Sequence, residues 1–185
     1  MTNLLLMYTV PMEELEFTYL AKELPEGLNE FPSKEMLDIY IPTSTKHPNL
    51  RIRKNGNKYE ITKKEIINEE DASRFMETTI PLTEEEYKDL SQLSGKRVQK
   101  TRFYYKENET TFEVDVFRGD LEGLIVVDVE FDSEDKRLTF TPPAWCLADV
   151  TQEEFIAGGM ICGKKYSDIE DQLQKFNYKK ISLVS

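Results

Sequence analysis

Histidine and cysteine are nearly missing from this chain of 185 residues, which has one histidine, His47, and two cysteines, Cys146 and Cys162. A lone imidazole argues against histidine acid–base pairs, phosphohistidine relays and zinc sites. Two cysteines without companion spacing make no disulfide framework and read as ordinary thiols of a cytoplasmic protein. Positive charge is scarce as well: 24 Lys and Arg face 35 Asp and Glu, a net charge of -11. Such a field opposes non-specific binding to nucleic acid or to an anionic membrane. Long apolar runs are absent. The run LLLMYTV, residues 4–10, is too short to span a membrane and has no basic residues before it to make a signal peptide. If the chain is an enzyme, carboxylates, Lys, Arg and a hard metal ion must carry the chemistry.

What is present is period-two alternation. Glu14–Tyr19, Met36–Ile41, Asn49–Lys54, Asn57–Lys64, Arg74–Ile80, Val98–Tyr105, Thr111–Phe117 and Ile125–Phe131 read as strands. Asn55-Gly56 is a hairpin signal. With those two residues as the loop, Arg53 faces Lys58 and Arg51 faces Glu60. Helices are fewer. Thr83 with Glu86, Thr151 with Glu154, and Ser167 with Glu170 each read as a helix start. Length and composition suit one domain over residues 1–185, with a helical C-terminal segment at 150–185.

The strands share one feature. One face is apolar, and the other is charged at nearly every position. The charged faces carry Glu14 and Glu16; Arg51 and Arg53; Lys64; Glu77; Lys100 and Arg102; Glu113 and Asp115; Asp128 and Glu130. Two readings are open. A β-sandwich would turn these faces to solvent, as half-buried antiparallel strands commonly do. A mainly β, closed antiparallel barrel would turn them inward, with helices covering the apolar outside. Acids and bases segregate by strand, which suits a lumen holding a cation on one wall and an anion on the other.

The ordered segments ELEFTYLAKELP, LRIRKNGNKYEITKK, RFMETTIPLTEEEYKDL, TRFYY, FEVDVFRGDLEGLIVVDVEF and PPAWCLADVT resemble the CYTH, or triphosphate tunnel metalloenzyme, superfamily. The likeness runs from about Met12 to about Val150. It implies an eight-stranded antiparallel barrel forming a charged tunnel, Mg²⁺ or Mn²⁺ as cofactor, and a polyphosphate or nucleoside triphosphate as substrate. By position, it places Glu14, Glu16, Asp128 and Glu130 at the metal. Arg51, Arg53, Lys64, Lys100 and Arg102 fall on the phosphates, with Glu14, Glu16, Lys64 and Arg102 carrying catalysis. Thr18, Glu77, Glu113 and Asp115 fall in the lumen. Two positions depart from the family pattern: Thr18 stands where the opening ExExK motif has lysine, and Asp128 is one methylene shorter than the family's glutamate. Lys164 and Lys165 either reach a phosphate or form a solvated turn.

The implied activity is metal-dependent hydrolysis of a triphosphate, with inorganic triphosphate first. The alternatives are a weakly active or non-catalytic polyphosphate-binding module, a thiamine triphosphatase and a class IV adenylate cyclase. The chain is expected to act as a monomer or homodimer, without nucleic-acid or membrane partners.

Overall fold

The structure, a computed structural model, describes residues 12–68 and 70–182. The run at 4–10 lies outside the described residues. Nine strands form one antiparallel sheet: β1 (Met12–Ala21), β2 (Ser33–Ile41), β3 (Leu50–Asn55), β4 (Lys58–Asn68), β5 (Asp71–Leu82), β6 (Lys96–Glu107), β7 (Thr110–Phe117), β8 (Ile125–Phe131) and β9 (Cys146–Asp149). The first eight close on themselves in the spatial order β1-β8-β7-β6-β2-β3-β4-β5, and β5 returns to β1. Closure removes the free edges an open sheet would leave. All eight strands legible as alternation are there. The ninth was not legible, because its four residues follow two prolines and show no alternation.

The hairpin between β3 and β4 turns one residue later than its Asn-Gly signal implies. Asn55 pairs with Lys58, so Gly56 and Asn57 form the loop, Arg53 faces Glu60 and Arg51 faces Thr62. Gly56 takes φ +59° while Asn57 keeps a negative φ, the pattern of a type II′ turn. The pairing changes, but Arg51, Arg53 and Lys64 still share one face, because residues opposite each other point the same way.

The closing seam is short. β1 pairs with β5 only from Met12↔Glu77 to Leu15↔Arg74, and with β9 from Tyr19↔Asp149 onward. The chain after β9 fills the gap between them. Val150 N–H donates to Thr18 O at 2.8 Å, and Thr18 N–H donates to Thr151 Oγ1 at 3.0 Å. The Thr151 hydroxyl is therefore used in the seam, and the helix start read at Thr151 and Glu154 does not form. A 3₁₀ turn, Glu154–Ile156, follows instead. Arg137 straps the same seam from outside. It lies over the Phe17 ring and donates to Ser73 Oγ and to Glu134.

The helices are α1 (Glu84–Leu90), α2 (Glu134–Thr139), α3 (Gly158–Ile161) and α4 (Glu170–Gln174). The capping box at Thr83 and Glu86 forms as read, with bonds of 2.7 and 3.2 Å. Ser167 does not open a helix; a 3₁₀ turn, Tyr166–Asp168, precedes α4, and Asp168 accepts the Lys165 N–H.

Helices do not cover the apolar outside in the way the alternation suggested. Over β1, β7 and β8 the cover is a 3₁₀ turn, Leu28–Glu30, and loop: Leu28, Trp145 and Phe140 pack on Tyr19, Val114, Val127 and Val129. Among the described residues, only α1 lies on the wall of β3, β4 and β5, where Tyr87 stacks on Tyr59 at 4.7 Å. The C-terminal segment instead stoppers one end of the barrel. Leu20, Tyr40, Val98, Phe117 and Val126 share the parity of the charged positions, yet all are buried with Ile156, Ile161, Ile169 and Leu173. Each fully buried Leu or Ile contributes about 1.5–3 kcal/mol, so this apolar plug is a large share of the core. Gly158 fits its place because a Cβ there would stand 2.2 Å from Tyr40 Oη.

Candidate active site

The strand register puts the charged positions of all eight barrel strands on the inner face. Glu16 faces Glu130 and Thr18 faces Asp128 across β1 and β8. Glu113 faces Asp128, and Asp115 faces Arg102. Lys64 faces Glu77, which in turn faces Met12 beside Glu14. The lumen therefore has an acidic wall on β1, β7 and β8 and a basic wall on β3, β4 and β6.

The side chains meet across that division. Lys64 Nζ stands 3.1 Å from both Glu14 Oε2 and Glu16 Oε2. Arg102 holds Asp115 through Nε at 2.7 Å and Nη2 at 2.6 Å, reaches Asp128 Oδ2 at 3.2 Å and also contacts Glu113. Lys100 pairs with Asp115. Arg51 donates to Tyr40 Oη at 3.4 Å and lies 3.5 Å from Glu77 Oε2, while its buried Nε has no partner among the described residues. By register and contacts, Thr18, Glu77, Glu113 and Asp115 stand on the same face of the sheet as these acids and bases.

Arg53 differs from its neighbour. Its Nε and Nη2 donate to the two oxygens of Asp38 at 2.6 and 2.7 Å, and both residues are buried. This fork–fork geometry is the strong form of a charge-assisted pair. Arg53 is thus occupied by the protein, whereas Arg51 has an N–H to spare. Sequence reasoning missed Asp38 and Tyr40. Their alternation with Leu37 and Ile39 was a usable signal, since it gives them the inward parity. Thr62 shares the charged face of Glu60 and Lys64 but was not named for the site; its hydroxyl lies 2.9 Å from Thr79 Oγ1, and Thr79 in turn donates to Glu77.

Thr18 Oγ1 donates to Asp128 Oδ1 at 3.0 Å. The hydroxyl thus orients the shorter acid. Lys22, four residues on from Thr18, is exposed beyond the end of β1.

Crowding shows in the acids. Burial, and then Glu16 and Asp115, push Asp128 up to about 6 against the pull of Arg102. Partial burial, then Glu113, Glu14 and Glu16, push Glu130 up to about 7. Glu130 is the exposed one of the four acids, so solvent tempers the rise; its direction follows from the three neighbouring carboxylates. On the basic side, burial lowers Lys64, but Glu16 and Glu14 outweigh it and hold the ammonium above its usual range. Asp115 is likewise disfavoured by burial, yet Arg102 and Lys100 keep it below the ordinary carboxylate range.

Hard oxygen donors crowded enough to retain protons fit a divalent cation. As the side chains stand, no three acid or thiol groups among the described residues close on one point as ligands. Lys64, between Glu14 and Glu16, is the cation that neutralises them.

No family model matches the chain. It is 35% identical over 152 residues to a curated inorganic triphosphatase of Nitrosomonas europaea, covering 77% of this chain and 92% of that protein. Its fold is similar to the crystal structure of an inorganic triphosphatase, with a TM-score of 0.61 at 31% identity over 82% of this chain and 95% of the other. A Bacillus halodurans protein shares the fold at 16% identity, with a TM-score of 0.51 over 93% and 94% of the two chains.

Proposed function

The chain belongs to the CYTH, or triphosphate tunnel metalloenzyme, superfamily, and from that premise we propose that it hydrolyses inorganic triphosphate in its lumen with Mg²⁺ or Mn²⁺. One observation carries the proposal: in a closed barrel, the basic groups of β3, β4 and β6 face the carboxylates of β1 and β8. Carboxylates repel a polyanion, so acids and bases in one lumen suit a cation and a phosphate chain held together.

Glu14, Glu16, Asp128 and Glu130 would hold the cation, directly or through water. When bound, the ion neutralises charge on the phosphate oxygens and helps generate a nucleophile from water. Arg51, Lys64, Lys100 and Arg102 would take the phosphate oxygens, planar guanidinium groups being suited to two at once. Arg53, bound to Asp38, would stiffen the wall behind Arg51. Lys64, which pairs with Glu14 and Glu16, would turn its ammonium to the phosphate once those two acids held the ion. Thr18 keeps Asp128 oriented. Phosphoryl transfer needs positioning and charge neutralisation more than a covalent nucleophile, so the shortage of histidine is no obstacle.

The chain would act as a monomer or homodimer. A cytoplasmic setting suits the two unpaired cysteines. No helix among the described residues is long and apolar enough to cross a membrane.

The deciding assay is phosphate release from inorganic triphosphate with each ion, beside ATP and thiamine triphosphate. Release from inorganic triphosphate is the expected result. Tight binding by calorimetry without release would instead make the chain a polyphosphate-binding module.

Cation binding should also be proton-linked. Asp128 and Glu130 lie above their ordinary values, so the metal-free fold keeps protons that the unfolded chain has released above pH ~4. The stability these two groups supply is complete below that pH and is lost as pH rises through 6 and 7. A divalent ion needs ionised oxygens. Its affinity should therefore rise across that same window, with protons released on binding. Calorimetry near pH 6.5 in two buffers of different ionisation enthalpy reads the release; equal heats would count against it.

A further inference from the structure

We propose that the outer wall of the barrel carries a second anion site, for a phosphorylated small molecule, at the plugged end. A cavity of about 500 Å³ lies between the outer face of β2 and β6, the β7–β8 connection and the C-terminal segment. Arg97, Arg118 and Lys164 line it, and Asp120 is its one acid. It is separate from the lumen. Arg97 and Gln99 alternate with Val98 and Lys100 along β6, and Leu37 faces Gln99, so these residues point outward where Asp38 and Lys100 point in.

In a chain of net charge -11, an acidic surface is the default. Here three cations converge against one carboxylate. Among the described residues, none of the three has a carboxylate partner, whereas Lys64, Lys100, Arg51, Arg53 and Arg102 of the lumen all do. The two guanidinium groups are held in place without being neutralised. Arg97 Nη2 donates to Ser91 O at 2.9 Å, and Arg118 Nε donates to Thr101 Oγ1 at 3.1 Å. Each guanidinium has further N–H groups to offer, the donors that recognise phosphate oxygens in pairs. The volume lies within the roughly 300–1,000 Å³ of small-molecule sites. Leu37 and Leu121 give the cavity an apolar floor, so an organic group can sit beside the phosphate. The site does not depend on the proposed hydrolysis, since it shares no side chain with it. It also accounts for Lys164, which lies outside the lumen.

The test is a titration of isotope-labelled, metal-free protein with pyrophosphate and, separately, with ADP, following backbone amides by NMR. The amides of Gly119 and Lys164 report the outer cavity; those of Thr62 and Lys64 report the lumen independently. Saturable shifts at Gly119 and Lys164 are expected with at least one ligand. Arg118→Gln/Lys164→Gln should weaken them at least tenfold while leaving the lumen response in place. A stronger response to ADP identifies a nucleotide as the ligand; an equal response identifies the inorganic anion. Amides at Gly119 and Lys164 that stay still with both ligands, or that titrate equally in the double variant, would overturn the proposal whatever the lumen does.

Discussion

Glu130→Gln should cut triphosphate turnover about a thousandfold or more and, in the same protein, raise the thermal stability of the metal-free form. The first effect follows from charge. Glu130 is the exposed member of the four carboxylates proposed to hold the ion. Removing one anionic oxygen donor takes away part of the several kcal/mol a bound cation supplies, and each ~1.4 kcal/mol is a factor of ten in rate. The second effect has the opposite sign because the lumen is over-supplied with acid. Glu113, Glu14 and Glu16 all disfavour a charged Glu130, so an isosteric neutral amide relieves repulsion at pH 8. Melting curves with a chelator, alongside phosphate-release rates, separate the two effects. A variant that loses both activity and stability would show Glu130 to be a structural group rather than a cation ligand.

The largest stability loss is expected at Asp38. Removing one partner of a buried, hydrogen-bonded ion pair costs about 3–5 kcal/mol, because the other charge stays buried without compensation. Asp38→Ala strands the Arg53 guanidinium, which is 6% exposed and bonded to both oxygens of that carboxylate. Urea unfolding should register the full loss. The double variant Asp38→Leu/Arg53→Met should recover most of it, since replacing both charges by apolar groups of similar volume is often neutral. It should also separate stability from turnover. Arg51 stands next but one along β3 and relies on a firm wall, so catalysis should stay depressed while stability returns. Recovery of both would mean that the pair serves the fold alone.

Much of this was legible in the chain itself. Eight strands could be read from alternation because a strand's side chains point to opposite faces in strict turn. The same rule put Glu14 with Glu16, Arg51 with Arg53, and Asp128 with Glu130, since parity does not depend on which strands pair. That is why the hairpin at Gly56 could turn one residue late without moving a single lumen residue to the other face.

Parity cannot say what a face meets. Leu20, Tyr40, Val98, Phe117 and Val126 share the parity of the charged positions, yet they form the floor of a plug because the C-terminal segment folds over that end. Thr151 carries a sound capping signal, yet its hydroxyl goes to the seam between β1 and β5, where an otherwise unpaired Thr18 N–H needs it. Local signals lose such contests because burying an unsatisfied backbone donor costs more than a helix cap gains.

The sequence by itself determined which residues could share a face, the shortage of histidine and cysteine that leaves the chemistry to carboxylates, Lys and Arg, and the two positions, Thr18 and Asp128, where the chain departs from its family. Only the tertiary structure decided that the charged faces close inward, that Arg53 is bound by Asp38 while one Arg51 donor has no partner among the described residues, and that Lys64 sits between Glu14 and Glu16. The reason is physical. Side-chain parity is fixed by adjacent backbone geometry, whereas pairing across the lumen depends on strands many residues apart being brought together by closure of the sheet.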